Sequence, residues 1–460
     1  MAADISPAAS AAPQETPGPP ILIIGAGPTG LGAAYRLREL GHTNFLLLEQ
    51  SDAVGGLSYT HTDEQGFLWD LGGHVLFSHY AYFDKAVDEA LGCHGDAAAA
   101  AAAWCSHQRQ SWVWLHDRFI PYPLQNNLHR LPAEDLQRCL DGLVDITASP
   151  VTEVANFADW IQQKFGAGLA EVFMTPYNEK VWGVPTETMS HHWMGERVAT
   201  VDLKRVLGNL VHGRDETSWG PNATFRFPAQ GGTGAIWAGM AARLLTPSTL
   251  RLRAQVASIH TASRTLTLAT GETLPYSALL STMPMDALLG RLADQPALAP
   301  LAPSFVHSAV HIVGLGLQGA PPPQLAGKCW VYFSAPQLPF YRVTLFSHYA
   351  PGNVPAPGST WSLLCEVCDT PYRPAPGGGS REGVVAAVRA GLVAVGFLQP
   401  QDTPVSTFHR RLEYGYPTPF LGRDELVGRV DGVLQPLGLY SRGRFGAWKY
   451  EVANQDHCFM

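Results

Sequence analysis

Residues 21–34 read ILIIGAGPTGLGAA, an apolar run followed by closely spaced glycines and then by helix-forming residues. The run Ile21–Ile24 predicts a buried parallel strand. Gly25, Gly27 and Gly30 follow in the pattern G-x-G-x-x-G, which lets the chain turn, lets its backbone approach a pyrophosphate, and lets the next helix pack on the strand. The helix that begins near Pro28 and Thr29 would present backbone N–H groups to an anion. This stretch therefore predicts a phosphate-binding turn.

A second apolar run, residues 45–48, ends in Glu49, 19 residues after Gly30. An acidic side chain at this distance accepts the ribose hydroxyls in dinucleotide-binding folds. The alternative is a glycine-rich turn beside an ordinary surface glutamate. Because strand, glycines, helix, strand and acid occur in the expected order, the sequence favours a bound dinucleotide.

The composition is that of a globular protein, since 46% of the 460 residues are hydrophobic and 15% are charged. A chain of this length predicts two or three domains. The net charge of -8 is spread along the chain, so we expect neither nucleic acid nor a membrane as a partner. Residues 1–20 lack the features of a signal peptide and predict a disordered arm. These features predict a soluble, cytoplasmic protein.

The seven cysteines predict reduced thiols, because the number is odd and no secretion signal precedes them. Cys365 and Cys368 form a CxxC pattern, but residues 361–367 read as a strand, on which side chains three apart point to opposite faces. The sequence therefore predicts no metal or redox site there.

Several short clusters contain candidate ligand-binding residues. Tyr122 lies between two prolines and is followed by three carboxamides, Gln125, Asn126 and Asn127, a suitable platform for stacking a base and bonding its edge. A proline-rich turn with a half-buried tyrosine explains the same residues equally well. Trp330 and Tyr332 alternate on a predicted strand, which places both rings on one side.

Arg197 and Arg342 have apolar neighbours along the chain, so an anion is expected to meet each guanidinium. A carboxylate such as Glu196 or Glu366 is one partner, and a bound diphosphate is the other. From these residues alone, the carboxylate is favoured.

No pattern of a side-chain nucleophile with its base, of a zinc-binding helix or of a paired carboxylate is present. We therefore expect a bound cofactor to supply the reactive atom. His74 follows Gly72 and Gly73, a position that makes it a neighbour of the nucleotide by default.

Long strings of the sequence resemble the UDP-galactopyranose mutase family, specifically its eukaryotic branch. The strings extend over residues 21–460: GAGPTGLGAA, DLGGHVLFSHYAYFD, PYPLQNN, PYNEKVWGVPT, GERVA, WGPNATFRFPAQGGTG, YGYPTP and SRGRFGAWKYEVANQDH. The resemblance implies FAD as the cofactor and the conversion of UDP-galactopyranose to UDP-galactofuranose without net redox change. In that family, reduced FAD is the nucleophile that attacks the anomeric carbon of the sugar.

The fold expected from the pattern and the resemblance together is α/β, with a Rossmann-like FAD-binding domain, a helical domain and an antiparallel β-sheet domain. The FAD-binding domain is expected to combine residues 21–95 with 223–285 and 436–460. The helical domain is expected at 130–212, and a sheet domain for the substrate at 96–129 with 300–435. The sequence leaves homo-oligomer formation open.

The resemblance also implies roles for individual residues. His74, Arg197 and Arg342 are implied as catalytic, with the two arginines holding the diphosphate. The substrate-binding residues are implied to be Phe77, Tyr122, Gln125, Asn178, Trp182, Asn222, Trp330, Tyr332, Tyr416, Tyr450 and Asn454. The cofactor-binding residues are implied to be Gly25, Gly27, Pro28, Thr29, Gly30, Glu49, Gly55, Gly56, Gly73, His74 and Arg444.

The resemblance further implies NADPH or NADH as the reductant, bound by His79 and Arg109. Arg109 belongs to a segment, His107 to Arg109, that is similar to a mobile flap of the family. The alternative is a plain surface loop, since the alanine run 97–103 directly precedes it.

Two other functions fit parts of the sequence. One is an oxidoreductase of the flavin amine oxidase or protoporphyrinogen oxidase type, which shares the glycine-rich fold but does not use a diphosphate clamp. The other is a non-catalytic binder of nucleotide sugars. Family chains continue beyond the NQDH string into a helix that contacts FAD, so we expect this 460-residue form to purify with substoichiometric FAD.

Overall fold

A computed structural model describes residues 18–148, 153–194, 198–217, 220, 223–450 and 455–460. Most of the arm predicted at 1–20 lies outside these ranges. Within them, no helix is both long and apolar enough to cross a membrane.

The strands are β1 (Ile21–Ile24), β2 (Phe45–Leu48), β3 (Thr60–Thr62), β4 (Leu68–Asp70), β5 (Trp104–Gln108), β6 (Ser111–Leu115), β7 (Arg118–Pro121), β8 (Thr224–Pro228), β9 (Leu250–Arg251), β10 (Val256–His260), β11 (Thr265–Leu268), β12 (Thr273–Pro275), β13 (Ala278–Ser281), β14 (His307–Gln318), β15 (Trp330–Phe333), β16 (Arg342–Thr344), β17 (Thr360–Asp369), β18 (Ser406–Pro417) and β19 (Leu439–Ser441). The helices are α1 (Pro28–Glu39), α2 (Ala81–Ala90), α3 (Ala97–Ala103), α4 (Ala133–Ala148), α5 (Phe157–Leu169), α6 (Thr175–Trp182), α7 (Leu203–His212), α8 (Gly234–Leu244), α9 (Met285–Leu289), α10 (Arg381–Ala394), α11 (Arg423–Leu434) and α12 (Gln455–Phe459).

The glycine-rich turn connects β1 to α1 at the centre of a parallel sheet. The described strands of this sheet are ordered β19-β13-β1-β2-β9, and each neighbouring pair is parallel. Leu22 and Ile24 pack into the apolar core on one face, and Ile23 packs into the core on the other. Because both faces are covered, the strand reads as a continuous apolar run. The predicted strand, turn and helix are confirmed, and the fold class is α/β.

A second sheet lies beside the first. Its described strands are ordered β18-β14-β17-β16-β15-β6-β7, and all pairs are antiparallel except β15 with β6. Its apolar residues form one core with α10 and another with Phe67, Trp69 and Phe225. The antiparallel β-sheet expected from the sequence is therefore confirmed.

The predicted helical region contains α4, α5, α6 and α7, which pack around a shared core that includes Leu143, Phe165 and Trp182. Gly166 interrupts α5 with a φ of 70°, and a Cβ there would lie 2.3 Å from the Gly142 carbonyl oxygen. The close approach of α4 and α5 therefore requires glycine at this point. A short π-helical turn, Ala170–Met174, leads directly into α6.

β18 is a long strand that extends to Pro417 and includes Tyr414 and Tyr416. Gly415 is needed in this strand because a Cβ would lie 2.3 Å from Val310 Cγ2, near a register shift between β14 and β18.

The alternative that His107 to Arg109 form a plain surface loop is wrong. β5 pairs with β8 as a two-stranded antiparallel ribbon, and Arg109 N donates to the Ala223 carbonyl. The Arg109 side chain is buried rather than exposed. The alanine run before it forms α3, capped by Asp96.

Cys365 and Cys368 are free thiols on β17 with different surroundings. Cys365 belongs to the core under α10, whereas Cys368 Sγ lies against Gly183 at the end of α6. Burial raises the pKa of the Cys368 thiol to about 12, so it is protonated at neutral pH.

Candidate active site

One large cavity extends from the glycine-rich turn to the antiparallel sheet and the helical region, with a volume of about 1480 Å³. Its size exceeds the ~300–1,000 Å³ that typically holds one drug-sized ligand. The predicted site residues that line it are Gly25, Gly27, Pro28, Thr29, Glu49, Gly56, Gly73, His74, Phe77, His79, Arg109, Tyr122, Gln125, Asn178, Trp182, Trp330, Tyr332, Arg342, Tyr416, Arg444 and Tyr450. The cavity is therefore larger than one drug-sized ligand requires.

The turn at one end of the cavity is shaped by glycines that do not themselves line it. A Cβ on Gly30 would lie 1.9 Å from the Gly25 carbonyl oxygen, so only glycine permits this packing of α1 on the turn. Gly55 has a φ of 113° and its N–H donates to the Ala26 carbonyl at 2.8 Å. Gly30 and Gly55 thus fold the turn, whereas Gly25 and Gly27 face the cavity.

Glu49 follows β2 and holds the turn with its carboxylate. Its Oε2 accepts a hydrogen bond from Ala26 N at 2.8 Å, and its Oε1 accepts from Ser51 N and Ser51 Oγ at 2.9 and 2.7 Å. The carboxylate is 7% exposed but still lines the cavity. A ribose placed there would share the carboxylate with the turn.

His74 lies on the loop that follows β4, with its imidazole in the cavity wall. Burial, opposed by Glu366 and assisted by Arg342 and Arg444, lowers the pKa of His74 to about 4. Its Nδ1 is buried and finds no hydrogen-bond partner in the described part of the chain. A neutral imidazole with a spare nitrogen therefore faces the cavity, where a ligand can complete its hydrogen bonding.

Arg342 lies in the middle of the cavity and is held by a carboxylate from the neighbouring strand. Its Nε and Nη2 donate to Glu366 Oε1 at 2.9 and 2.5 Å, and the two residues are directly paired between β16 and β17. The pair therefore contains the carboxylate partner that the residues alone favoured. Arg342 also lines the cavity, so the same guanidinium remains available to a second anion.

Tyr122 and Gln125 line the cavity, and Tyr122 also packs against the core of the helical region. The Gln125 Nε2 donates to the Ala199 carbonyl at 2.7 Å, and its buried Oε1 has no partner among the described residues. Asn126 and Asn127 instead brace Glu216, through Asn126 Nδ2 to Glu216 Oε1 at 3.1 Å and Glu216 N to Asn127 Oδ1 at 2.8 Å. Of the three carboxamides, only Gln125 lines the cavity.

Aromatic rings line much of the same cavity as Arg342 and Tyr122. The Trp330 and Tyr332 rings both line the cavity, as the alternation on β15 predicted, with centroids 6.3 Å apart. Tyr332 is 5.3 Å from Tyr122, and Trp182 is 4.7 Å from Tyr450. The remaining predicted wall residues are Phe77 and Asn178, and Asn178 Nδ2 donates to the Met174 carbonyl at 2.7 Å.

Arg444 and Arg109 contact tyrosine rings at different points of the wall. The Arg444 guanidinium carbon lies 4.9 Å from the Tyr416 ring centroid and 5.6 Å from that of Tyr450. The Arg109 guanidinium carbon lies 5.4 Å from the Tyr122 ring centroid. Such contacts hold cations beside aromatic faces.

His79 contacts α12 through Asp456, and not the residues around Arg109. Its Nδ1 is 2.8 Å from Asp456 Oδ2, and His457 Nδ1 is 3.1 Å from Asp456 Oδ1. The ligand atoms of these three side chains lie within 4.8 Å of one another, and both imidazoles line the cavity. His79 and Arg109 thus share the cavity but have separate contacts.

Three predicted site residues lie outside the described residues: Arg197, Asn222 and Asn454. Sequence reasoning also missed several residues of the cavity wall, among them Tyr341, Tyr177, Trp193, His457 and Cys458. Tyr341 directly precedes Arg342, and its hydroxyl donates to Glu366 Oε2 at 2.6 Å. A buried tyrosine beside a buried arginine was the available signal, but nothing in the sequence indicated their common partner.

A family model described as flavin containing amine oxidoreductase matches residues 28–320, more than half of the chain. A crystal structure of reduced UDP-galactopyranose mutase is similar over almost the whole chain, with 46% sequence identity and a TM-score of 0.90. The match covers 96% of this chain and 93% of that one. The chain belongs to the UDP-galactopyranose mutase family, within the flavin-containing amine oxidoreductases.

More distant structures share the fold of this mutase-family chain. A putative protoporphyrinogen oxidase from Exiguobacterium sp. has a TM-score of 0.70 at 18% identity, with 96% of this chain and 98% of that chain covered. Polyamine oxidase 1 from Zea mays is 41% identical over 59 residues, which are 13% of this chain and 12% of that protein. The chain thus spans about an eighth of this curated relative, so the short match adds little about function.

The described residues fit FAD, the cofactor expected for this family. The glycine-rich turn offers backbone N–H groups and the start of α1 to a diphosphate. Glu49 lines the same end of the cavity with its carboxylate, and His74 has a buried Nδ1 for which the described residues offer no hydrogen-bond partner. The whole cavity, about 1480 Å³, is large enough for a dinucleotide.

Proposed function

We propose that this protein is a flavin-dependent isomerase that converts UDP-galactopyranose to UDP-galactofuranose without net oxidation. The observation that carries the proposal is the single cavity that joins the glycine-rich turn to Arg342, Tyr122 and Gln125. A dinucleotide cofactor at one end and a nucleotide sugar at the other would then meet near His74 and Arg342. When bound and reduced, FAD supplies the nucleophile for the anomeric carbon of the sugar.

The task of the side chains near Arg342 is to hold the diphosphate. Arg342 would donate from the N–H groups that Glu366 does not use, and the guanidinium charge would stabilise the phosphate as it leaves the sugar. Tyr416 interacts electrostatically with Arg342, its ring contacts that of Tyr450, and the hydroxyls of both tyrosines can donate to phosphate oxygens. We assign Arg197 to the same group by the family resemblance.

The part of the cavity lined by Tyr122 and Gln125 suits a uracil ring. The tyrosine offers a face for stacking, and the unpartnered Gln125 Oε1 can accept the ring N–H of a uracil. The wall residues Phe77, Asn178, Trp182, Trp330 and Tyr332 would then enclose the sugar and exclude water. By the same resemblance, Asn222 and Asn454 contribute to this enclosure.

His74 would orient the cofactor as a neutral group. Because its pKa is lowered to about 4, the imidazole carries no charge at neutral pH. Its unpartnered Nδ1 can donate or accept a proton at the polar edge of the flavin ring, according to the tautomer.

We also propose that NADPH or NADH reduces the cofactor in the cytoplasm, with Arg109 and His79 as contacts. Arg109 places its guanidinium beside the Tyr122 ring, and His79 lines the same cavity. We retain the domain division expected from the sequence as a proposal. The FAD-binding domain would combine residues 21–95 with 223–285 and 436–460, the helical domain would be 130–212, and the sheet domain would combine 96–129 with 300–435.

The test is to incubate FAD-loaded protein with NADPH and UDP-galactofuranose and to separate the products by chromatography. We expect the product to be UDP-galactopyranose. Oxygen-dependent peroxide formation from an added amine, without sugar conversion, would instead indicate an amine oxidase. Binding of the nucleotide sugar without conversion would indicate a non-catalytic binder.

A further inference from the structure

A single buried carboxylate connects the His74 loop to Arg342. Glu366 is 2% exposed and lies on β17 in the second sheet, whereas the loop follows β4 outside that sheet. Gly73 N donates to Glu366 Oε1 at 2.8 Å, and Arg342 Nε and Nη2 donate to the same oxygen. Glu366 Oε2 accepts from the Tyr341 hydroxyl.

The burial and charge of Glu366 make these contacts strong. Burial alone would raise the pKa of Glu366, but Arg342, Tyr341 and the Gly73 N–H hold it below its ordinary value. The carboxylate is therefore ionised at neutral pH. Hydrogen bonds to an ionised group are stronger than those between neutral groups.

The loop also packs directly on the guanidinium, so that the two parts move together. A Cβ on Gly73 would lie 2.4 Å from Thr344 Oγ1 and 3.4 Å from Arg342 Cζ. Glycine is required at this point because the backbone of the loop comes so close to β16. A shift of the Arg342 side chain would therefore displace the residue that precedes His74.

Glu366 also selects which edge of Arg342 meets the ligand. A guanidinium has five N–H donors, and Glu366 occupies the one on Nε and one on Nη2. The donors left for a diphosphate are those on Nη1 and the second on Nη2. Without the carboxylate, the side chain would be free to rotate and to present any of its donors.

We propose that Glu366 is a positioning residue that holds Arg342 and the Gly72–His74 loop as one unit. This inference rests on the proposed function. The sequence indicated Glu366 only as a candidate partner of Arg342 and gave it no role in the reaction. Glu366 lines the cavity, but both of its oxygens already accept hydrogen bonds from the protein. It acts through Arg342 on the diphosphate and through Gly73 on the neighbour of the flavin.

The test compares Glu366→Ala and Glu366→Gln in the FAD-loaded protein, with UDP affinity measured by calorimetry. Glutamine keeps an oxygen that can accept from Gly73 and Arg342, whereas alanine removes it. We expect the alanine variant to bind UDP at least about tenfold more weakly, and the glutamine variant to recover part of that loss, because its oxygen still accepts but carries no charge. The visible absorption spectrum of FAD should change in the alanine variant and return towards the original in the glutamine variant.

Tyr341→Phe is the matched control, because it removes the donor to Oε2 and leaves both contacts of Oε1. It should change UDP affinity and the FAD spectrum much less than Glu366→Ala. Wild-type affinity in the alanine variant, or a glutamine variant as impaired as alanine, would overturn the proposal. If the alanine variant does not fold, the glutamine variant decides: weaker UDP binding than in Tyr341→Phe is expected, because the amide lacks the charge of the carboxylate, and wild-type affinity with an unchanged FAD spectrum would overturn the proposal.

The proposed function fails by a different result. If the unaltered protein binds no UDP, or converts no nucleotide sugar while holding reduced FAD, the function is wrong whatever the variants do. If the unaltered protein binds and converts but the variants behave alike, only the role of Glu366 is wrong.

Discussion

The positive charge of Arg342 is partly neutralised in the protein, and this governs what its removal should do. Glu366 accepts two of its N–H groups, and the rest face the cavity. In Arg342→Ala, Glu366 keeps Gly73 and Tyr341 as partners, so the His74 loop retains its anchor. The diphosphate loses a charged donor.

We therefore expect Arg342→Ala to lower kcat/KM for UDP-galactofuranose. The expected loss of transition-state stabilisation is about 3–4 kcal/mol, as for other donors that stabilise a developing charge. Reduction of FAD by NADPH should remain largely intact, as followed by the loss of flavin absorbance in a stopped-flow instrument. Turnover equal to that of the unaltered protein would remove Arg342 from the diphosphate site.

His74 should make the folded protein less stable in acid. Its pKa is about 4 in the folded protein and 6.5 when exposed in the unfolded chain. Between these values the unfolded chain binds more protons, so the contribution of His74 to stability is complete above pH 6.5 and declines as the pH falls towards 4.

The measurement is the free energy of unfolding by urea at several pH values for the FAD-free protein and for His74→Asn. The difference between the two proteins should change with pH in this window, with the wild type losing more stability on acidification. Parallel pH dependences would show that the imidazole is already accessible to protons in the folded protein.

At the scale of elements, the junction of β1 and α1 depends on the absence of a side chain at Gly30. A Cβ there would lie 1.9 Å from the Gly25 carbonyl oxygen and 3.4 Å from Ile23 Cγ2. The first distance is too short for any contact, so backbone must move. Gly428 in α11 is a suitable control, because a Cβ there meets nothing within 4 Å.

We expect Gly30→Ala to destabilise the protein by about 1–3 kcal/mol and to weaken FAD retention on gel filtration. Gly428→Ala should instead stabilise it by about 0.5–1 kcal/mol, because alanine is the better helix former. Equal effects of the two substitutions on FAD content would show that α1 does not need to approach the turn closely.

The elements that the sequence predicted well are those whose local pattern and packing agree. β1, α1 and β2 were predictable because both faces of the parallel sheet are apolar and glycines mark its turn. The tail of β18 was not, because Gly415 and the adjacent tyrosines have the composition of a loop. Only contact with Val310 on β14 makes glycine suitable in that strand.

The sequence predicted many of the residues that line the site, but not the hydrogen bonds between residues that are distant in the chain. Trp330 and Tyr332 could be placed on one side of a strand by alternation alone. The bond between Gly73 and Glu366 joins residues 293 positions apart in the chain, and no local pattern indicates such a pair. Asn126 and Asn127 show the reverse, because they have the chemistry of ligand contacts but instead brace Glu216.

At the scale of the whole molecule, one cavity unites surfaces from the parallel sheet, the antiparallel sheet and the helical region. No side chain near Arg342 needs to act as a nucleophile in this account. The side chains position the ligands and neutralise charge, and the cofactor supplies the reactive atom. The activity should therefore depend on the redox state of a cofactor that is regenerated in every cycle.

The most direct test measures the conversion of UDP-galactofuranose by one preparation of FAD-loaded protein, without oxygen, before and after reduction with dithionite. The account predicts UDP-galactopyranose only after reduction, over many turnovers for each flavin and without reoxidation of the flavin. Equal conversion by the oxidised protein, or none by the reduced protein while UDP binds, would contradict it.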